Sequence, residues 1–110
     1  MESILNSIKK MLGMAEDYTH FDDDLVMHIN SVFMVLTQLG VGPAEGFWIE
    51  DDSATWEEYI PDLSKLQAVK TYMYLKTKLV FDPPSSSIHK QCIDENIKEL
   101  EWRLHSEVNY

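Results

Sequence analysis

Apolar residues recur at helical spacing through most of this chain, and glycines and prolines punctuate the pattern. In the first segment, Glu2 to Leu12, the side chains of Ile4, Leu5, Ile8, Met11 and Leu12 fall on one face of a 3.6-residue helix, and Gly13 marks its stop. So short a helix is marginal alone and needs packing. A second helix is expected from Asp22-Asp23-Asp24, whose carboxylates complement the positive end of the helix dipole. Leu25, Ile29, Val32, Phe33, Leu36 and Leu39 then make one apolar stripe that ends at Gly40.

The next stretch, Gly40 to Thr55, has no helical period. Gly40-Val41-Gly42-Pro43 and Glu45-Gly46 are turn chemistry, and Phe47-Trp48-Ile49 reads as a short extended piece. At its end, Thr55 and Glu58 have the spacing of a capping box for one helical turn through Ile60. Structureless loops of this length in small domains are usually functional or mobile. A third long helix is predicted from Asp62 to Phe81. Leu66, Val69, Tyr72, Met73, Leu79 and Val80 face inward, and Lys65, Lys70, Lys76 and Lys78 face out. Tyr72 and Tyr74, two apart on a helix, must diverge, so at least one ring lies outside the core.

Phe81-Asp82-Pro83-Pro84-Ser85-Ser86-Ser87 then forms a hard joint. Tandem prolines remove donors and push the preceding residue out of helical geometry, and the serines offer caps to a following helix. That helix runs from Ser85 or Ser86 to His105, with Ile93, Ile97, Leu100, Leu104 and Val108 in its stripe and Trp102 off it. The pattern gives an all-α fold: a small bundle of about four helices, with one long irregular loop between the second and third main helical segments.

Residues 1–110 are one domain's worth of chain, with 45% hydrophobic and 11% aromatic residues, enough for a small core. A formal net charge of −10 disfavours gripping nucleic acid or an anionic membrane, because both depend on Lys and Arg. An acidic wall is compatible with DNA that must slide past. The lone Cys92 excludes an intrachain disulfide, suits a reducing cytosol and is expected as a small apolar residue on a helix. No apolar run is long enough to span a membrane, and the N-terminus lacks the apolar core of a signal peptide.

Catalytic and metal constellations are not apparent. His20, His28, His89 and His105 have no HExxH spacing, and Gly40-Val41-Gly42-Pro43 lacks the Lys-Ser/Thr of a phosphate loop. Asp22-Asp23-Asp24 is contiguous where a calcium loop alternates its ligands. No cofactor is expected. What remains is a surplus of large rings: Trp48, Trp56, Trp102, Phe47, Tyr72 and Tyr74. Rings on a loop or off a helix stripe are typical interface anchors.

The order of several short pieces resembles the small head-tail connector, or adaptor, proteins of long-tailed double-stranded DNA phages. These pieces are Ile29-Asn30-Ser31-Val32-Phe33, Gln38-Leu39-Gly40-Val41-Gly42-Pro43, Gly46-Phe47 and the isolated Trp56. Tyr72-Met73-Tyr74-Leu75-Lys76, Phe81-Asp82-Pro83-Pro84 and Glu99-Leu100-Glu101-Trp102-Arg103-Leu104 complete the set. The resemblance implies a single all-α connector domain that assembles after DNA packaging as a ring under the portal. Such a ring extends the DNA channel and joins head to tail without catalysis.

The implied partners are the portal protein, neighbouring copies of the chain, and the next connector or tail-completion protein. Double-stranded DNA is only passing cargo, and no membrane is involved. The implied place is the head-tail interface of the virion, after synthesis in the bacterial cytoplasm. Within that frame, Trp102, Arg103 and Leu104 are expected to contact the portal or a neighbouring subunit. The loop bearing Phe47, Trp48, Glu50, Asp51 and Asp52 is expected toward the channel or the adjacent subunit. The competing reading is a small acidic regulatory or DNA-mimic protein that binds a host or phage protein.

Overall fold

The computed structural model describes residues 2–60 and 63–108. Among them the helices are α1 (Ile4–Met11), α2 (Asp22–Gln38), the single turn α3 (Trp56–Tyr59), α4 (Leu63–Phe81) and α5 (Ser87–Val108). No strand occurs among the described residues; the only extended pairing is an isolated antiparallel bridge between Ser3 and Thr55. The all-α expectation with one long irregular loop therefore holds. The expected start at Asp62 and the Val108 side chain lie outside the described residues.

Each helix starts and stops for local reasons. Ser3 caps α1 by accepting from the Asn6 N–H at 3.2 Å. At the end of α2, the Gly40 N–H reaches Thr37 O and the Val41 N–H reaches Leu36 O, with Gly40 at φ +86°. This left-handed stop satisfies carbonyls that a continuing helix would have used. Glu58 accepts from both the N–H and the hydroxyl of Thr55, at 3.2 Å each, so the expected capping box forms. Beyond the proline joint, Ser86 caps α5 by accepting from the His89 N–H.

The core is one cluster drawn from every helix and from the loop. Ile4, Leu5 and Ile8 of α1 meet Leu25, Ile29, Val32, Phe33 and Leu36 of α2, then Leu66, Val69, Tyr72 and Met73 of α4 and Ile93, Ile97 and Leu104 of α5. The α2 stripe is buried as expected, with Leu39 only partly covered. Trp56 is wholly buried, and its indole N–H donates to Ser7 Oγ at 2.7 Å. Around it, Ile4 N–H donates to Ala54 O and Trp56 N–H to Glu2 O. Thus α1 is held by backbone pairing as well as by its apolar face.

Two apolar residues depart from the periodic expectation, and a lysine outside it is buried. Val80 is 60% exposed because it lies in the last turn of α4, where no helix covers it; Phe81, one residue on, packs edge-to-face on His28 instead. Met11 is exposed at the end of α1, where the chain turns away at Gly13. Lys9 is buried: its ammonium donates to Glu16 O and to Asp22 Oδ1, both at 2.9 Å, and so ties α1 to the first residue of α2. Cys92, expected as a small apolar residue, is exposed on α5.

The α4–α5 hairpin is cross-linked by Tyr72, whose hydroxyl donates to Glu101 Oε2 at 2.7 Å. Burial first, and then the neighbouring carboxylate, raise the Tyr72 pKa well above that of a free phenol, so the hydroxyl stays a donor. Tyr74 is only half-buried, so the two tyrosines diverge as predicted.

The Lys9–Asp22 pair gives an asymmetric prediction. Asp22→Ala leaves a buried ammonium without its anion and should cost about 3–5 kcal/mol in denaturant unfolding. Lys9→Met replaces the cation with an apolar chain and leaves Asp22 partly solvated at a helix N-terminus, so it should cost much less.

His28 gives a pH prediction. Burial lowers its pKa from 6.5; a backbone hydrogen bond to Lys76 opposes this and the Lys76 charge adds to it. A folded-state imidazole that resists protonation contributes stability that is complete above its unfolded value and is lost as pH falls below it. Between about pH 6.5 and 5, the wild type should therefore lose more stability than His28→Phe, read as the difference between their unfolding midpoints.

Candidate functional site

Two surfaces bear the residues singled out by sequence, and the first is the outer face of α5. Trp102 is 70% exposed, well clear of the core. Arg103 is exposed and pairs with Glu99 one turn back, its Nη2 2.8 Å from Glu99 Oε1. Leu104 is 2% exposed and belongs to the core. The three consecutive residues therefore split: Trp102 and Arg103 are available to a partner, and Leu104 anchors the helix that presents them. An open groove of about 650 Å³ runs between α4 and α5, with Leu75, Leu100 and Leu104 among its apolar lining and Glu99 and Arg103 among its charged residues.

The second surface is the 40–55 loop, and it is built rigidly. Phe47 and Ile49 point inward and Trp48 outward, the alternation of an extended chain. Asn30 of α2 clasps this piece with both ends of its amide: Nδ2 donates to Ile49 O at 2.9 Å, and Oδ1 accepts from the Ile49 N–H at 2.8 Å. The side chain thus does what a neighbouring strand would do. Phe33, Phe47 and Tyr59 form a ring cluster beneath it, with centroids 4.7–5.2 Å apart. The Tyr59 hydroxyl donates to Val41 O at 3.3 Å. Gly42 is required here: it has φ +85°, and a Cβ would come within 2.5 Å of the Tyr59 ring.

Phe47 is therefore mostly structural, whereas Trp48 is 64% exposed and Glu50, Asp51 and Asp52 all face solvent. Asp51 accepts from the Ser53 hydroxyl and N–H, at 2.6 and 2.8 Å. These bonds hold its carboxyl below the ordinary value of 3.8, so the tip stays charged. Among the described residues no group of three or more His, Cys, Asp or Glu side chains converges as a metal site would require. No helix among them is long and apolar enough to cross a membrane.

A family model described as phage connector protein matches residues 4–110, nearly the whole chain. The chain belongs to the phage connector protein family. Comparisons with curated proteins and with solved structures find no match. The connector family supports a general role at the junction of phage head and tail, with portal and tail proteins as the general class of partner.

Some features of this connector escaped the hydrophobic pattern. Asn30 follows the core residue Ile29 and precedes the exposed Ser31, and nothing in a helical period marks it as a loop clasp. No apolar spacing marks Lys9 as buried. Met27 and Met34, 72% and 64% exposed, lie outside the α2 stripe. Charge segregation is legible in the sequence: from Met11 to Ser64 there are twelve Asp and Glu and no Lys or Arg. The α2-and-loop half of the connector is thus uniformly acidic, and the cations belong to α1 and to the α4–α5 hairpin.

Asn30→Ala should leave the Ile49 amide without its acceptor. The expected cost is about 1–3 kcal/mol in denaturant unfolding, with faster hydrogen exchange at Ile49 than at the α2 amides.

Proposed function

We propose that this connector assembles as a ring beneath the portal, extends the DNA channel and joins the packaged head to the tail. The observation that carries the reading is the large ring of Trp102, exposed on a well-anchored helix in a chain of the connector family. An exposed indole beside an arginine has the composition of an interface anchor. Trp102 and Arg103 meet the portal or a neighbouring subunit, and the head-to-tail contact between copies is heterologous and closes into a ring. The loop tip with Glu50, Asp51 and Asp52 faces the DNA path or the adjacent subunit. Fixed carboxylates there repel phosphates, so DNA passes without sticking.

The portal, neighbouring copies and the next connector or tail-completion protein are the proposed partners, in the virion, after synthesis in the host cytoplasm. The cation-free stretch from Met11 to Ser64 also favours a second reading, an acidic regulator that occupies a basic site on a soluble protein.

Sedimentation of the purified chain with DNA-filled, portal-bearing heads of the same phage separates the two readings. The expected outcome is saturable co-sedimentation, an added ring at one vertex, and a loss of affinity of tenfold or more for Trp102→Ala, a change of about 1.4 kcal/mol. Intact binding by Trp102→Ala would remove the assigned anchor. Absence of any binding to heads, with a stoichiometric soluble partner instead, would establish the regulator.

A further inference from the structure

The face of α2 that turns away from the core carries a second apolar surface. Met27 and Met34 are seven residues apart, two turns along one face, and both are largely exposed. Beyond Met34 the surface continues into a groove of about 350 Å³, lined by Asn30, Met34, Thr37, Glu45, Phe47 and Trp48 among others. From Met27 to the end of α2 the surface is roughly 16 Å long, at 1.5 Å of rise per residue. Its floor is fixed, because Asn30 and the Phe33–Phe47–Tyr59 cluster hold the loop that forms one wall.

Its electrostatics are one-sided. Glu45 is the only charged residue in the groove lining. Asp23 and Asp24 stand four and three residues before Met27, on the same face. No Lys or Arg occurs anywhere in α2 or in the loop. An apolar strip with acids at both ends matches a segment of the opposite pattern. Methionines suit such a surface, since an unbranched thioether adapts to varied apolar partners.

We propose that this groove docks a basic, amphipathic segment of another protein. Apolar side chains of that segment pack on Met34 and Trp48, and its Lys or Arg side chains reach Asp23 and Asp24 at one end and Glu45 at the other. A second copy of this chain is a poor occupant, because each copy carries a net charge of −10 and at least four of its nine cations are already paired internally. Nucleic acid is excluded by the sign of the charge. The inference stands apart from the ring reading, since it uses neither the α5 face nor heads.

Calorimetry on the intact chain tests it with two synthetic peptides of about 14 residues, a little longer than the groove when helical. One carries Leu and Phe on one face and Lys and Arg toward both ends. The other keeps the same charges and has Ser at every apolar position. Saturable binding of the first alone is expected, weakening as salt rises. Trp48→Ser and Met34→Ser, both at exposed positions, should retain the wild-type fold by circular dichroism, and Trp48→Ser should lose affinity about tenfold or more. Equal binding of both peptides would reduce the surface to diffuse charge attraction and overturn the proposal. So would no binding by either, or unchanged affinity in both variants. Self-association that Met34→Ser abolishes, seen by sedimentation equilibrium, would assign the groove to a second copy and overturn it equally.

Discussion

The Trp56 indole is the fixed point around which the domain is arranged. It is wholly buried, yet its N–H needs a partner, and Ser7 of α1 supplies one at 2.7 Å. The same residue's backbone N–H reaches Glu2 O, and the ammonium of Lys70 lies 5.7 Å from the ring centroid while pairing with Glu2. One side chain therefore brings together the start of the chain, the end of the irregular loop and the middle of α4. Without it, α1 would keep its short apolar face, the Lys9 contacts to Glu16 and Asp22 and the Ile4 N–H to Ala54 O pairing, and would lose its tie to the ring at the centre of the core.

Period, caps and breakers made most of the architecture legible. The α2 stripe is read directly from Leu25 to Leu36, because a 3.6-residue repeat can bury only one face. The proline joint and the Thr55–Glu58 box are local chemistry, so they too could be read without the fold. Val80 and Lys9 show where such reading ends. Whether an apolar residue in a last turn is covered, or a lysine finds a buried acid, depends on an element distant in sequence. Trp102 could be placed because departure from a stripe is visible in the sequence. Asn30 could not, because its partner lies nineteen residues away in a segment with no period.

The surface divides into two chemically different halves. The α4–α5 hairpin mixes charges of both signs around its groove and offers Trp102 and Arg103. The α2-and-loop half has only acids and offers Trp48 and two methionines. The two halves thus differ in charge as well as in shape. That suits a family whose general partners are portal and tail proteins.

The bond between Trp56 and Ser7 also has a consequence for the order of events during synthesis. Its ends are 49 residues apart, so the segment that pairs with α1 here is made much later than α1 itself. As the protein leaves the ribosome, α1 can dock on α2 and pair Lys9 with Asp22, but the Trp56 indole bond and the backbone pairings with Ala54 and Trp56 wait for residues 54–56. Closing that long loop is slow relative to forming local turns. α1 is thus made well before it is fully secured, and part of its apolar face stays uncovered in the interval.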